Sequence, residues 1–85
     1  MTTQQQPVSV GRLLAMDADT RATTIRALSP IARRKLARLA ALGAREASDR
    51  ALDFLGRRSE AWTREQITAA RDRADIAAAL TTEEL

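Results

Sequence analysis

Eighty-five residues with 14 basic and 11 acidic side chains, and neither cysteine nor histidine, describe one small, mildly cationic domain. Without cysteine or histidine there is no disulfide framework, no zinc finger or zinc ribbon, and no catalytic triad built on either residue. The apolar share is 45%, yet eighteen of those residues are alanine, which buries little surface. A chain this short then sits near the limit for folding alone, and a partner chain is expected.

In chain order, residues 1–8 (MTTQQQPV) read as a polar tail. They carry no basic n-region and no apolar h-region, so they do not read as a signal peptide. No apolar stretch reaches the length needed to cross a bilayer, and the expected location is the cytoplasm. Ser9 is placed to cap a first helix of about Val10 to Met16, with Val8 and Leu13 as a hydrophobic staple. Asp17 or Asp19 caps a second helix of about Thr20 to Leu28, which turns Ile25 and Leu28 inward. Ser29-Pro30 opens a third: a serine cap followed by proline at the first helical position, where its missing N–H costs nothing.

The third helix has no stop signal before Gly56. Gly43 weakens it by about 1 kcal/mol relative to alanine, and continuity from Pro30 to Arg57 gives a rod on the order of 40 Å long. WTREQI then predicts a fourth helix of about Arg64 to Leu80. Thr63 and Gln66 form its capping box, Trp62 and Ile67 its staple, and residues 81–85 a frayed tail. Alanine, leucine and arginine dominate and no period-two runs appear. The fold class is therefore all-α: a small bundle of about four helices over residues 9–80 with a long central helix, completed by self-association or a partner.

On a helical wheel the third helix separates into two sides. Leu36, Leu39, Ala40, Gly43, Ala47 and Phe54 cluster as a core face. Arg34, Arg38 and Arg45 form a stripe opposite, flanked by Ile31 and Leu42. The small residues Ala40, Gly43 and Ala47 permit close approach of another helix. The fourth helix offers Ile67, Ala70, Ala74 and Ala78 for this, which predicts an antiparallel hairpin of the two. Ile76 and Leu80 lie on its other side and are expected to meet the first two helices or another subunit.

Charge is distributed unevenly. From Arg21 to Arg45 there are seven basic residues and no acidic one, whereas from Glu46 onward there are nine acids against six bases. In the later half Glu46–Arg50, Asp53–Arg57 and Glu60–Arg64 stand in the favourable acid-first order, four residues apart. Arg33, Arg34 and Lys35 crowd a helix N-terminus, where the macrodipole opposes cations. Thirteen of the fourteen basic residues are arginine, a bias that GC-rich codon usage alone can produce.

Most functional motifs are absent. Helix-turn-helix frames centred on Gly43 or Gly56 put Leu39, Asp49, Leu52 or Trp62 at positions that do not suit them. One phenylalanine and one tryptophan make no stacking platform for single strands. Asp17 with Asp19, and Asp49 with Asp53, read as caps and solvated ion pairs, so neither a metal nor a cofactor is expected. The three glycines are isolated and cradle no phosphate. The expected function is a non-enzymatic interaction protein. Arg33, Arg34, Lys35, Arg38 and Arg45 would meet an acidic protein partner, and the helix-packing seam of Leu36, Leu39, Ala40, Gly43, Ala47, Phe54, Ile67, Ala70 and Ala74 would serve packing or self-association. The alternative is a small nucleic-acid-binding regulator that sets the same cations on phosphates; a membrane partner is not expected.

Overall fold

The computed structural model describes residues 8–82. Four helices make up most of them: α1 (Val10–Ala15), α2 (Ala18–Ala27), α3 (Pro30–Asp53) and α4 (Glu60–Thr82). No strand occurs among the described residues, and the fold is an all-α bundle. Most of the expected N-terminal tail (residues 1–7) and the end of the C-terminal one (83–85) lie outside the described residues.

Short polar side chains start each helix. Ser9 Oγ accepts from the Arg12 N–H at 3.1 Å, an Asp17 carboxylate oxygen from the Thr20 N–H at 2.7 Å, and Ser29 Oγ from the Ala32 N–H at 3.1 Å. Asp17, not Asp19, is thus the cap of α2. α4 corrects the sequence reading. Its start is marked by Ser59, whose Oγ accepts from the Trp62 N–H at 3.1 Å, so the helix begins about one turn before Thr63. Ser59-Glu60 combines a serine cap with an acidic residue in the first turn, a stronger signal than a threonine followed by arginine. Thr63 lies inside the helix and donates its hydroxyl to the Ser59 carbonyl at 3.2 Å. Trp62 is therefore no staple to Ile67, which stands exposed.

α3 runs unbroken through Gly43 for 24 residues, about 36 Å at 1.5 Å per residue. It ends at Asp53 and not near Arg57, because the chain reverses over 54–59 through Gly56, whose φ of 82° favours glycine.

α3 and α4 pack as an antiparallel hairpin. Phe54 and Trp62 meet edge to face at 5.6 Å, the Arg50 Nε–H donates to Gln66 Oε1 at 3.0 Å, and the Arg73 side chain lies over Gly43. These pairs step equally and oppositely along the two helices. Continuing the register sets Ala47 opposite Ala69, Ala40 opposite Ile76 and Leu36 opposite Leu80. The steps alternate four and three residues, the spacing of a coiled-coil seam. Ala40, Ala47, Leu36, Ile76 and Leu80 are all buried.

The inward face of α4 is thus the opposite of the expected one. Ile76 and Leu80 turn in, while Ile67 and Ala74 are exposed and Ala70 is only partly buried. Two large aliphatic side chains remove far more apolar surface from water than a row of alanines, and they set the rotation of the helix. On α3, Leu36, Ala40 and Ala47 lie inside as expected, but Leu39 is 56% exposed and Phe54 39%.

The core sits at one end of the hairpin. Leu13 of α1 and Ile25 of α2 join Leu36, Ala37, Ala40, Ile76 and Leu80, with Val8, Leu14 and Leu28 packed around them. Two arginines fasten this end. The Arg21 guanidinium donates to the carbonyls of Leu13 (2.7 Å), Leu14 (3.3 Å) and Met16 (3.0 Å), closing the C-terminus of α1. The Arg33 Nε–H donates to the Leu28 carbonyl at 3.2 Å and closes α2. Beyond the core the molecule is two helices thick, which gives it extents of 52 × 32 × 20 Å.

Three measurements check this account. Ser59→Ala should cost about 1 kcal/mol in urea unfolding and Thr63→Ala less than about 0.5; equal losses would return the cap to Thr63. A Cβ on Gly43 would stand 2.9 Å from Cδ in the stem of Arg73, whose guanidinium donates to the Ala69 carbonyl at 3.3 Å, so the arginine has to shift to admit it. Gly43→Ala should therefore gain less than the about 1 kcal/mol that helix propensity offers, and a clear loss would show Arg73 to be fixed in place. The Thr20 backbone N–H holds the Asp17 carboxyl below its ordinary value of 3.8. A carboxyl lowered in the folded state stabilises fully above its unfolded value and loses that contribution as pH falls through the folded one. Asp17→Asn keeps the cap without the charge, so the melting-temperature advantage of the native chain over this variant should shrink as pH drops below 3.8.

Candidate interaction surface on the long helix

The seam with α4 decides which residues of α3 face outward. With Leu36, Ala40, Ala47 and Ala51 turned in, the opposite side carries Ile31, Lys35, Arg38, Leu42, Arg45 and Asp49, all exposed. Ile31 stands 69% exposed at the N-terminal end, and with Arg34, Lys35 and Arg38 it lines a shallow hollow of about 160 Å³. Next to it Val8, Leu28, Ala32, Lys35, Leu36 and Leu39 line a largely apolar hollow of about 360 Å³. Lys35 stands on the rim of both. Its aliphatic stem can lie along the apolar wall while its ammonium stays in water.

Of the five cations expected at the surface, the structure brings together Arg34, Lys35 and Arg38. Arg45 is exposed on the same side, about two turns or 10 Å further along. Arg33 is withdrawn: it is partly buried and bonded to the Leu28 carbonyl. Arg21, which belonged to the same acid-free run, is likewise held by α1. Arg34 has an interaction of its own within the chain, so Lys35 and Arg38 are the cations around which the surface is built.

Sequence reasoning missed the apolar content of this surface. Leu39, expected in the core, is a wall of the larger hollow, and Ile31, expected as a flank of the arginine stripe, lines the smaller one with Arg34, Lys35 and Arg38. The signal was available in the position of Ile31, one residue after the Pro30 that opens the helix and nearly opposite Leu36 and Ala40 on the wheel.

Elsewhere the hairpin tip exposes Leu52, Leu55 and Ile67 beside the Phe54–Trp62 pair, with the Arg58 guanidinium 4.6 Å from the Trp62 ring centre. A wide cleft of about 500 Å³ between α1 and α4 alternates Arg64 and Arg73 with Glu65 and Asp72. Among the described residues no three carboxylates gather as metal ligands, and no helix is long and apolar enough to cross a membrane. Gly43 is mid-helix, which removes a helix-turn-helix centred there. α3 and α4 are too long, and the connection over 54–59 too open, for one at Gly56.

Compared with protein-family models, with curated proteins and with solved structures, the chain matches none.

Proposed function

We propose that this chain is a small interaction protein without a catalytic role, and that it docks on an acidic helical surface of another protein molecule through the outer face of α3. One observation carries the reading: the cations Lys35 and Arg38 are set among exposed large apolar side chains, Ile31 and Leu39, beside an apolar hollow. A helix bearing a large apolar residue and carboxylates one turn apart would fill the hollow and meet the cations at once, the helix-in-groove mode of recognition. Phosphate backbones offer charge and no apolar counterpart, so the interleaving favours protein over nucleic acid.

Fluorescence anisotropy with two labelled probes tests this: a leucine- and glutamate-rich amphipathic helical peptide, and a 20-base-pair duplex. The peptide should bind, and the double variant Lys35→Glu/Arg38→Glu should lose that binding with its circular dichroism unchanged. The duplex should bind weakly. Tight duplex binding with a log–log salt slope of about −3.6, the value for four neutralised phosphates, would replace this reading with the nucleic-acid one.

A further inference from the structure

We infer that the acidic surface is the second half of α3 itself in a second copy of the chain, so that two molecules pair antiparallel through their outer α3 faces with Leu42 near the two-fold axis. The inference rests on the reading of the basic face above and names its partner.

The outer face of α3 is polarised along its length. Lys35 and Arg38 occupy the part before Leu42, and Glu46, Asp49 and Asp53 the part after it, all exposed, with Arg45 just past the middle. Arg50, the one basic residue among those acids, is drawn across to Gln66. Large apolar residues punctuate the face: Ile31 is 69% exposed, Leu42 52% and Leu52 68%. Ile31, Lys35, Arg38, Leu42, Asp49 and Leu52 fall on one stripe whose steps of three, four or seven residues match the seam on the other side of the helix.

Inverting this stripe about Leu42 brings unlike groups together. Lys35 comes opposite Asp49 of the second copy, Arg38 opposite Glu46, and Ile31 into the neighbourhood of Leu52, while Leu42 meets its own equivalent. A parallel pair would oppose cation to cation and acid to acid. A two-fold axis also makes the surface self-complementary, as an isologous dimer requires. The arrangement accounts for the local rule that α3 breaks. Cations at its N-terminus and acids at its C-terminus oppose the helix macrodipole, but in the antiparallel pair each charged end lies beside the favourable end of the other helix.

A single helix pair buries less than about 1,200 Å² in total, the range of weak, exchanging complexes. The dimer should therefore form over roughly 10–100 µM and loosen with added salt, as pairs of exposed charges do.

Sedimentation equilibrium of the full chain from about 1 to 500 µM tests the proposal. The native chain should pass from monomer to dimer. Arg38→Glu alone and Glu46→Arg alone should each stay monomeric, since each opposes like charges at both symmetry-related contacts. An equimolar mixture of the two variants should recover the dimer, because a heterodimer has both contacts attractive, and the double variant should recover it too. Circular dichroism of each variant confirms that it is folded. A native monomer at the highest concentration overturns the self-pairing, as does a dimer indifferent to both reversals or a mixture that stays monomeric. Retained binding of the acidic peptide by that native monomer would leave the basic-face reading standing; loss of both would end both.

Discussion

The structure depends on one constraint: α3 presents small residues along the middle of its seam with α4. Ala40, Gly43 and Ala47 face Ile76, the stem of Arg73 and Ala69, so over that stretch the two helices approach closely, and the leucine pair Leu36–Leu80 is confined to one end. The rotation of both helices follows. Once Ile76 and Leu80 are committed inward, Ile67 and Ala74 must turn out, and once Leu36 and Ala40 are inward, Ile31, Lys35 and Leu42 must face away. The outer surface is therefore a consequence of the seam. The thinness of the hairpin makes that surface matter: among the described residues only α1 and α2 add a further layer, and they cover one end.

Arginine serves several purposes in this chain, and counting charges does not separate them. Arg21 and Arg33 close the C-termini of α1 and α2 by hydrogen bonds to their last carbonyls, where the helix dipole also favours a cation. Arg73 fills the space over a glycine, Arg50 bridges the hairpin to Gln66, and Arg58 lies against Trp62. The acid-free run from Arg21 to Arg45 is thus partly an internal scaffold. What remains for a partner is a smaller set, centred on Lys35 and Arg38, and its character comes as much from Ile31 and Leu39 as from charge.

Local signals in the sequence carried most of the fold. Ser9, Asp17 and Ser29-Pro30 mark helix starts because a cap is a contact between residues three apart, and such a contact is present in the sequence itself. The continuity of α3 through Gly43 also follows from local propensity. Two readings failed where a weaker local signal competed with a stronger neighbour or with tertiary packing. Thr63 and Gln66 match a capping box, but Ser59-Glu60 precedes them. The alanine face of α4 looked complementary to that of α3, yet buried area is decided by Ile76 and Leu80. Leu39 was lost for a different reason: a wheel averages over the whole helix, and Leu39 stands at the edge of its apolar arc, just where α2 and Val8 leave a hollow uncovered. The hollow itself is formed by residues far apart in the chain, and no local pattern announces it.

The thin core ties the outer surface to folding. Among the described residues five large side chains, Leu13, Ile25, Leu36, Ile76 and Leu80, are fully or almost fully buried, and the other buried residues are alanines. A domain with so few large buried groups has a small margin, so a ligand that binds only the folded chain adds to stability by mass action in proportion to the logarithm of its concentration. The side chains proposed to meet that ligand touch little of the core, since Lys35, Arg38 and Leu42 lie on the far side of α3 from Ile76 and Leu80. Binding and intrinsic stability are therefore separable by mutation, although they are linked by thermodynamics. That separation follows from building one long helix with two working faces, one joined to α4 by small residues and the other left open with its charges polarised end to end.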